Sequence, residues 1–219
     1  MIKNQTRENS IISIHTPEKL DLAGAGGTLY HGGCQMWYST LRQRRAGCGP
    51  TSCSNLFWYL ALTHPGCRDF VKNDIQTRTN FTSLMEDVWN YVTPQKRGVN
   101  SLEIFTDGAE GYAKLKGIPI KCHKLKFPII KGERPSTNEV LEFLENAFEK
   151  DLPVAFLNLS NGLAKNLDSW HWVTIVAADW MLKTVLIFDQ GNTLEINIDV
   201  WRSTSFMGGG FVAIEPLAV

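Results

Sequence analysis

The chain has 219 residues, 43% hydrophobic and 20% charged, with seven Trp and eleven Phe; this is enough apolar mass for one medium domain and too much for a disordered chain. Lys plus Arg and Asp plus Glu each number 22, a balance that argues against a dedicated nucleic-acid binder. No apolar run approaches the ~18 residues of a membrane span, and the polar opening MIKNQTRENSIISIHTPEKL lacks a signal peptide's apolar stretch, so the sequence reads as cytoplasmic or as a mature secreted chain.

Residues 1–28 read as an irregular N-terminal segment and 29–219 as a single domain. The run Ala23-Gly24-Ala25-Gly26-Gly27 lacks the G-x-G-x-x-G spacing of a dinucleotide site and is expected to be a loop. Residues 28–39 suit a short strand with a glycine break, and the basic cluster Arg42, Arg44 and Arg45 suits a solvated turn. Over 50–63, Leu56, Phe57, Leu60 and Ala61 recur at helical spacing. Pro50 fits the first turn, where its missing N–H costs nothing. Helices are expected near 81–91 and 101–116, the second stopped by Gly117 and Pro119. Ser136-x-x-Glu139 is a capping box opening a helix to about residue 150. Five strands follow, PVAFLNLS, HWVTIVAAD, KTVLIFD, TLEINI and GFVAIEP. Helices first and an antiparallel sheet last predict an α+β domain.

The five cysteines, Cys34, Cys48, Cys53, Cys67 and Cys122, are odd in number and contain no C-x-x-C pair, which removes zinc-ribbon and thioredoxin-type readings. Cys48 lies between Gly47 and Gly49 at the head of the first long helix. There, unpaired N–H groups and the helix dipole favour a thiolate; the alternative is a small apolar side chain beside a turn. His171 opens the apolar strand Trp170-His171-Trp172-Val173, whereas His15, His31, His64 and His123 sit in loops or polar contexts. It reads either as the base for a thiol or as a packed core histidine. Asp189 ends the next strand, Phe188-Asp189-Gln190-Gly191. An antiparallel turn between the two strands brings it toward His171, where it either orients the imidazole or merely starts a turn. Cys53 reads as a packed thiol. Trp37, Trp58, Trp170 and Trp172 are candidates to line a cleft, Trp58 being better placed for the core.

Gly47-Cys48-Gly49-Pro50-Thr51-Ser52, Trp170-His171-Trp172-Val173 and Phe188-Asp189-Gln190-Gly191, in that order, resemble the papain-like cysteine peptidases. They are most similar to the bacterial branch that includes the leader-peptide peptidases of bacteriocin exporters, although the membrane and ATP-binding domains of those exporters have no counterpart here. The resemblance implies a papain-like α+β fold, the nucleophile helix packed on a C-terminal antiparallel sheet. It implies Cys48 as nucleophile, His171 as general base and acid, and Asp189 as orienting partner. It further implies a side-chain amide at the oxyanion: Gln43, five residues before Cys48 where the family's spacing is six, with Gln35 as the fallback. No metal or cofactor is required. The expected partner is a peptide or protein substrate, with no nucleic acid and no membrane. The readings kept beside a thiol peptidase or amidase are an acyltransferase or transglutaminase, a non-catalytic peptide binder on the same fold, and a redox thiol protein. Residues 1–28 could also serve as a pro-segment across the cleft.

Overall fold

The computed structural model describes residues 10–217. In chain order they form β1 (Ile11–Ser13), β2 (Asp21–Ala23), β3 (Leu29–His31), α1 (Leu41–Ala46), α2 (Cys48–Thr63), α3 (Arg78–Trp89), α4 (Leu102–Leu115), β4 (Ile120–Phe127), α5 (Thr137–Glu149), β5 (Val154–Asn158), β6 (His171–Asp179), β7 (Thr184–Asp189), β8 (Asn192–Asn197), α6 (Ile198–Thr204) and β9 (Gly209–Pro216). The main sheet runs β4-β9-β5-β6-β7-β8, every pairing antiparallel. β2 and β3 form a separate hairpin.

The strands β5 and β6 read as near-continuous apolar runs because both of their faces are covered. On one face, Trp172 stacks on Phe105 of α4 at 4.3 Å, and Thr174 meets Ser52 and Asn55 of α2. On the other, Phe156, Phe211 and Trp201 of α6 pack together at 4.7–5.8 Å. α2 is therefore enclosed on nearly its whole circumference, and Leu56, Phe57, Trp58, Tyr59 and Leu60 are all 0–1% exposed. Phe57 lies against Phe70 and Tyr112, and Trp58 against Phe81. Each such side chain contributes about 1.5–3 kcal/mol by burial, which holds the helix axis, and with it the position of Cys48, against the sheet.

A polar tie sets the helix's register on β6. Ser52 Oγ donates to the Val173 carbonyl at 3.1 Å, Asn55 Nδ2 donates to Thr174 Oγ1 at 2.9 Å, and Asn55 Oδ1 accepts from the Gly33 backbone N–H at 2.9 Å. All three side chains are buried, so each bond replaces water that cannot enter.

Several expectations need correction. Residues 10–28 are part of the domain and not an irregular extension. β1 pairs with Ala177–Asp179 of β6, and Ile14, Leu20 and Leu22 are fully buried. Three-residue strands are too short for a period-2 pattern to register. β1 also lies at the end of β6 away from His171, so this segment does not cross the cleft as a pro-segment would; residues 1–9 of that reading fall outside the described residues. The Arg42–Arg45 cluster sits on a helix, α1, rather than a turn; its start is capped by Thr40. β4, with its alternating Lys and apolar residues, and the short α6 are additional to the elements expected from the sequence. α2 starts at Cys48 itself, two residues earlier than its apolar spacing indicates. The capping box at Ser136 and Glu139 is present as expected.

Asn55→Ala leaves the Gly33 N–H and Thr174 Oγ1 buried without this partner. We expect a loss of about 1–3 kcal/mol in urea unfolding at unchanged m-value; a change below a few tenths of a kcal/mol would mean that the tie does not hold the helix.

Candidate active site

Cys48 is the first residue of α2, and Gly47 precedes it without any side-chain cap. The first N–H groups of a helix have no acceptor within it, so this end of α2 presents donors and a positive dipole beside the thiol. The flanking glycines are required by space rather than by backbone conformation. Gly47 has an ordinary φ of −86°, but a Cβ there would sit 2.5 Å from the Gln43 carbonyl and 2.6 Å from the Tyr38 ring. A Cβ on Gly49 would sit 2.8 Å from Val99. The turn is closely packed on both sides of the sulfur, which itself is half-buried.

His171 is delivered by the register of β6 on β7. Thr174 stands opposite Phe188, so the start of β6 and the end of β7 arrive together. His171 Nε2 and Asp189 Oδ1 lie 2.7 Å apart. Both residues are bordered by left-handed backbone: Trp170 has φ +58° just before His171, and Gln190 has φ +51° just after Asp189. Such conformations in non-glycine residues cost about 1–3 kcal/mol each and persist only where surrounding packing imposes them. Here both aim a strand end at the same point. Cys34 Sγ donates to Gln190 Oε1 at 3.0 Å, holding the second of these bends.

Burial alone would push the His171 pKa down. The hydrogen bond to Asp189 and the interaction with Cys48 outweigh it and raise the value to about 10. Since Nε2 is taken by Asp189, Nδ1 is the ring nitrogen left for the sulfur. The charged form of the buried imidazole is thereby favoured, with Asp189 on one side and Cys48 on the other.

Of the sequence-predicted residues, Cys48, His171 and Asp189 are brought together. Gln43 is not brought to them. It is the third residue of α1, where its Oε1 accepts from the Thr40 backbone and hydroxyl and its Nε2 donates to Glu86 at 2.5 Å. The amide oxygen is occupied in capping α1 and the nitrogen ties that helix to α3. Gln35 instead borders the narrow crevice shared by Cys48, His171 and Asp189. It enters from a single 3-10 turn rather than a strand. Its Nε2 donates once, to the Arg44 carbonyl at 2.9 Å, which leaves a second N–H, and its Oε1 is buried without a partner among the described residues.

The four other histidines pair elsewhere: His31 with Asp21, His123 with Glu215, His64 with the Lys150 carbonyl and His15 with Asp151. Of the cleft tryptophans only Trp170 faces the groove beside Cys48. Trp172 and Trp58 are core, and Trp37 packs on Tyr30 and Phe81. All five cysteines are free thiols. Burial raises the pKa of Cys34 and Cys53, of Cys67 to about 11 and of Cys122 to about 12. Among the described residues no cluster of three metal-binding side chains occurs, and no helix is long and apolar enough to cross a membrane.

An open groove of about 690 Å³ runs from Cys48 between α1 and the 95–100 loop, with Leu157, Leu159 and Trp170 in its lining. A thiol at a helix head, an imidazolium locked by a carboxylate, and a groove ending at the sulfur are together equipped for nucleophilic attack on a carbonyl in an extended chain.

No protein-family profile matches the chain, and no curated protein matches it by sequence. Among solved structures it is similar to UfSP from C. elegans, with a TM-score of 0.54 and 13% identity over 99% of this chain and 36% of that one. It thus spans little more than a third of that protein. The Pseudomonas avirulence protein AvrPphB aligns over 77% of this chain and 90% of its own, but at 7% identity and a TM-score of only 0.37. The first likeness shows the fold alone: an α+β domain with α2 packed on an antiparallel sheet.

Proposed function

We propose that the protein is a thiol peptidase or amidase that works through a thioester acyl-enzyme. The observation that carries this reading is the placement of one imidazole, bonded at Nε2 to Asp189 and facing Cys48 at the helix head. The Cys48 sulfur attacks the amide carbonyl. His171 then passes its proton to the leaving amine, and the neutral ring accepts a proton from the water that resolves the thioester. Asp189 keeps the ring oriented and stabilises its charge without itself taking the proton. The oxyanion is assigned to the Cys48 backbone N–H and the free N–H of Gln35, in place of Gln43. The narrower likeness to leader-peptide peptidases rests on the three short motifs and stays part of this proposal, as does a cytoplasmic setting.

Iodoacetamide at neutral pH should modify Cys48 alone, because burial keeps the other four thiols protonated. Peptide mass spectrometry reads this directly, and uniform labelling or a silent Cys48 would sink the reading. On quenched fluorescent peptide pools, Cys48→Ala should abolish turnover with the fold intact, and His171→Ala should lower it about 10²–10⁴-fold.

Losing one oxyanion donor typically costs about 3 kcal/mol of barrier. Gln35→Ala should therefore reduce kcat roughly a hundredfold while the melting temperature stays near wild type, and Gln43→Ala should do the reverse. The opposite split would restore Gln43 as the donor.

The histidine also ties stability to pH. Its folded pKa of about 10 lies above the ~6.5 of an unfolded histidine. The stabilisation it reports is full below about pH 6.5 and is lost as pH rises toward 10. The unfolding free-energy gap between wild type and Asp189→Asn should be largest near pH 6 and shrink steadily to pH 10; a gap constant with pH would refute the charged pair.

A further inference from the structure

The groove beside Cys48 carries more positive charge than acyl transfer requires. One wall is α1, where Arg42 and Arg45 are three residues apart and share a helix face. The facing wall is the turn at 95–98, in which Gln95 and Gly98 exchange backbone hydrogen bonds at 3.1 and 3.1 Å. This pins Lys96 and Arg97 at the tip of a two-residue loop. All four cations line the groove and are exposed. Among the described residues none of them forms an ion pair or a side-chain hydrogen bond. Arg44, on the same helix, behaves differently: it folds back onto the Tyr38 and Ser39 carbonyls.

Among the described residues the lining contains no Asp or Glu, although the chain as a whole carries equal numbers of acids and bases. Four like charges set across a concave, partly apolar surface repel one another in the empty groove, and they concentrate anions by about 10–10³-fold. Trp170, 45% exposed, adds an apolar face beside them.

We propose that this groove selects an acidic peptide segment. The substrate strand next to the reacting carbonyl presents Asp or Glu side chains to Arg42 and Arg45 on one side and to Lys96 and Arg97 on the other. An apolar side chain lies against Trp170. The proposal deepens the peptidase reading and rests on it for the reacting bond. A peptide fits better than a nucleic-acid strand, because among the described residues Trp170 is the single aromatic side chain in the lining, whereas single strands are held on successive aromatic platforms.

The test reads binding without turnover. Fluorescein-labelled short peptide pools, one rich in Asp and Glu, one neutral and one rich in Lys, are titrated into the Cys48→Ala protein by anisotropy at low and physiological salt. The acidic pool should bind at least about tenfold more tightly than the neutral one, with the preference weakening as salt rises. R42E/R45E and K96E/R97E should each remove most of it; R42Q/R45Q and K96Q/R97Q serve if a reversal fails to fold by circular dichroism. Equal binding of acidic and neutral pools would overturn the proposal, and so would a preference that survives both pairs of substitutions. Tighter binding of oligothymidylate than of the acidic pool would also overturn it, in favour of nucleic acid. Iodoacetamide labelling of Cys48 in the wild-type protein is read separately, so a failed specificity and a failed thiol are distinguished.

Discussion

The seating of α2 on β6 is the constraint on which the remainder of the site depends. A cysteine at a helix head and a histidine at a strand start belong to elements separated by more than a hundred residues of chain. They meet because Ser52 and Asn55, one and two turns into the helix, are bonded to Val173 and Thr174, two and three residues into the strand. Apolar packing alone would hold α2 on the sheet but tolerate sliding along it. Buried hydrogen bonds do not, since a shift of one residue would leave donors and acceptors unpaired. The polar tie therefore converts general burial into a specific placement of the sulfur.

Asp189 and His171 depend on a second constraint, the antiparallel register between β6 and β7. A slip of one residue would turn the side chains over to opposite faces. The left-handed residues Trp170 and Gln190 mark where the chain leaves the strands immediately beside each functional group. The strain there is borne by tightly packed neighbours, Gln190 being held by Cys34 and Gly191 lying against Tyr30. The hairpin of β2 and β3 thus supports the carboxylate end of the site, although its own sequence carries no chemistry.

Much of this arrangement was legible in the sequence. Cys48, His171 and Asp189 each stood at the end of an element whose type could be read from periodicity, and the order of the elements pointed to the sheet. Gln43 shows the limit of that reasoning. The family resemblance implied an amide a few residues before the cysteine, and Gln43 matched it, but the same residue stands three positions after Thr40, and the capping box claimed it. The pattern Thr40-x-x-Gln43 was visible, and it names the competing role. Gln35 reaches the crevice through a 3-10 turn that has no periodic signature. The paired arginines on α1 likewise read as a solvated turn, because six residues are too few to display a helical pattern.

By itself, the sequence determined most of the longer helices and strands, the apolar residues available for a core and the chemical types available to a site, since those follow from local spacing and side-chain chemistry. The tertiary structure alone decided which amide faces the sulfur, which cations face the groove and where the first strand runs. Those outcomes turn on contacts between distant segments: β1 against the far end of β6, Gln43 against Glu86, Lys96 and Arg97 across from α1. Local pattern carries no information about such contacts, because their partners are chosen by packing and by the need to satisfy buried polar groups.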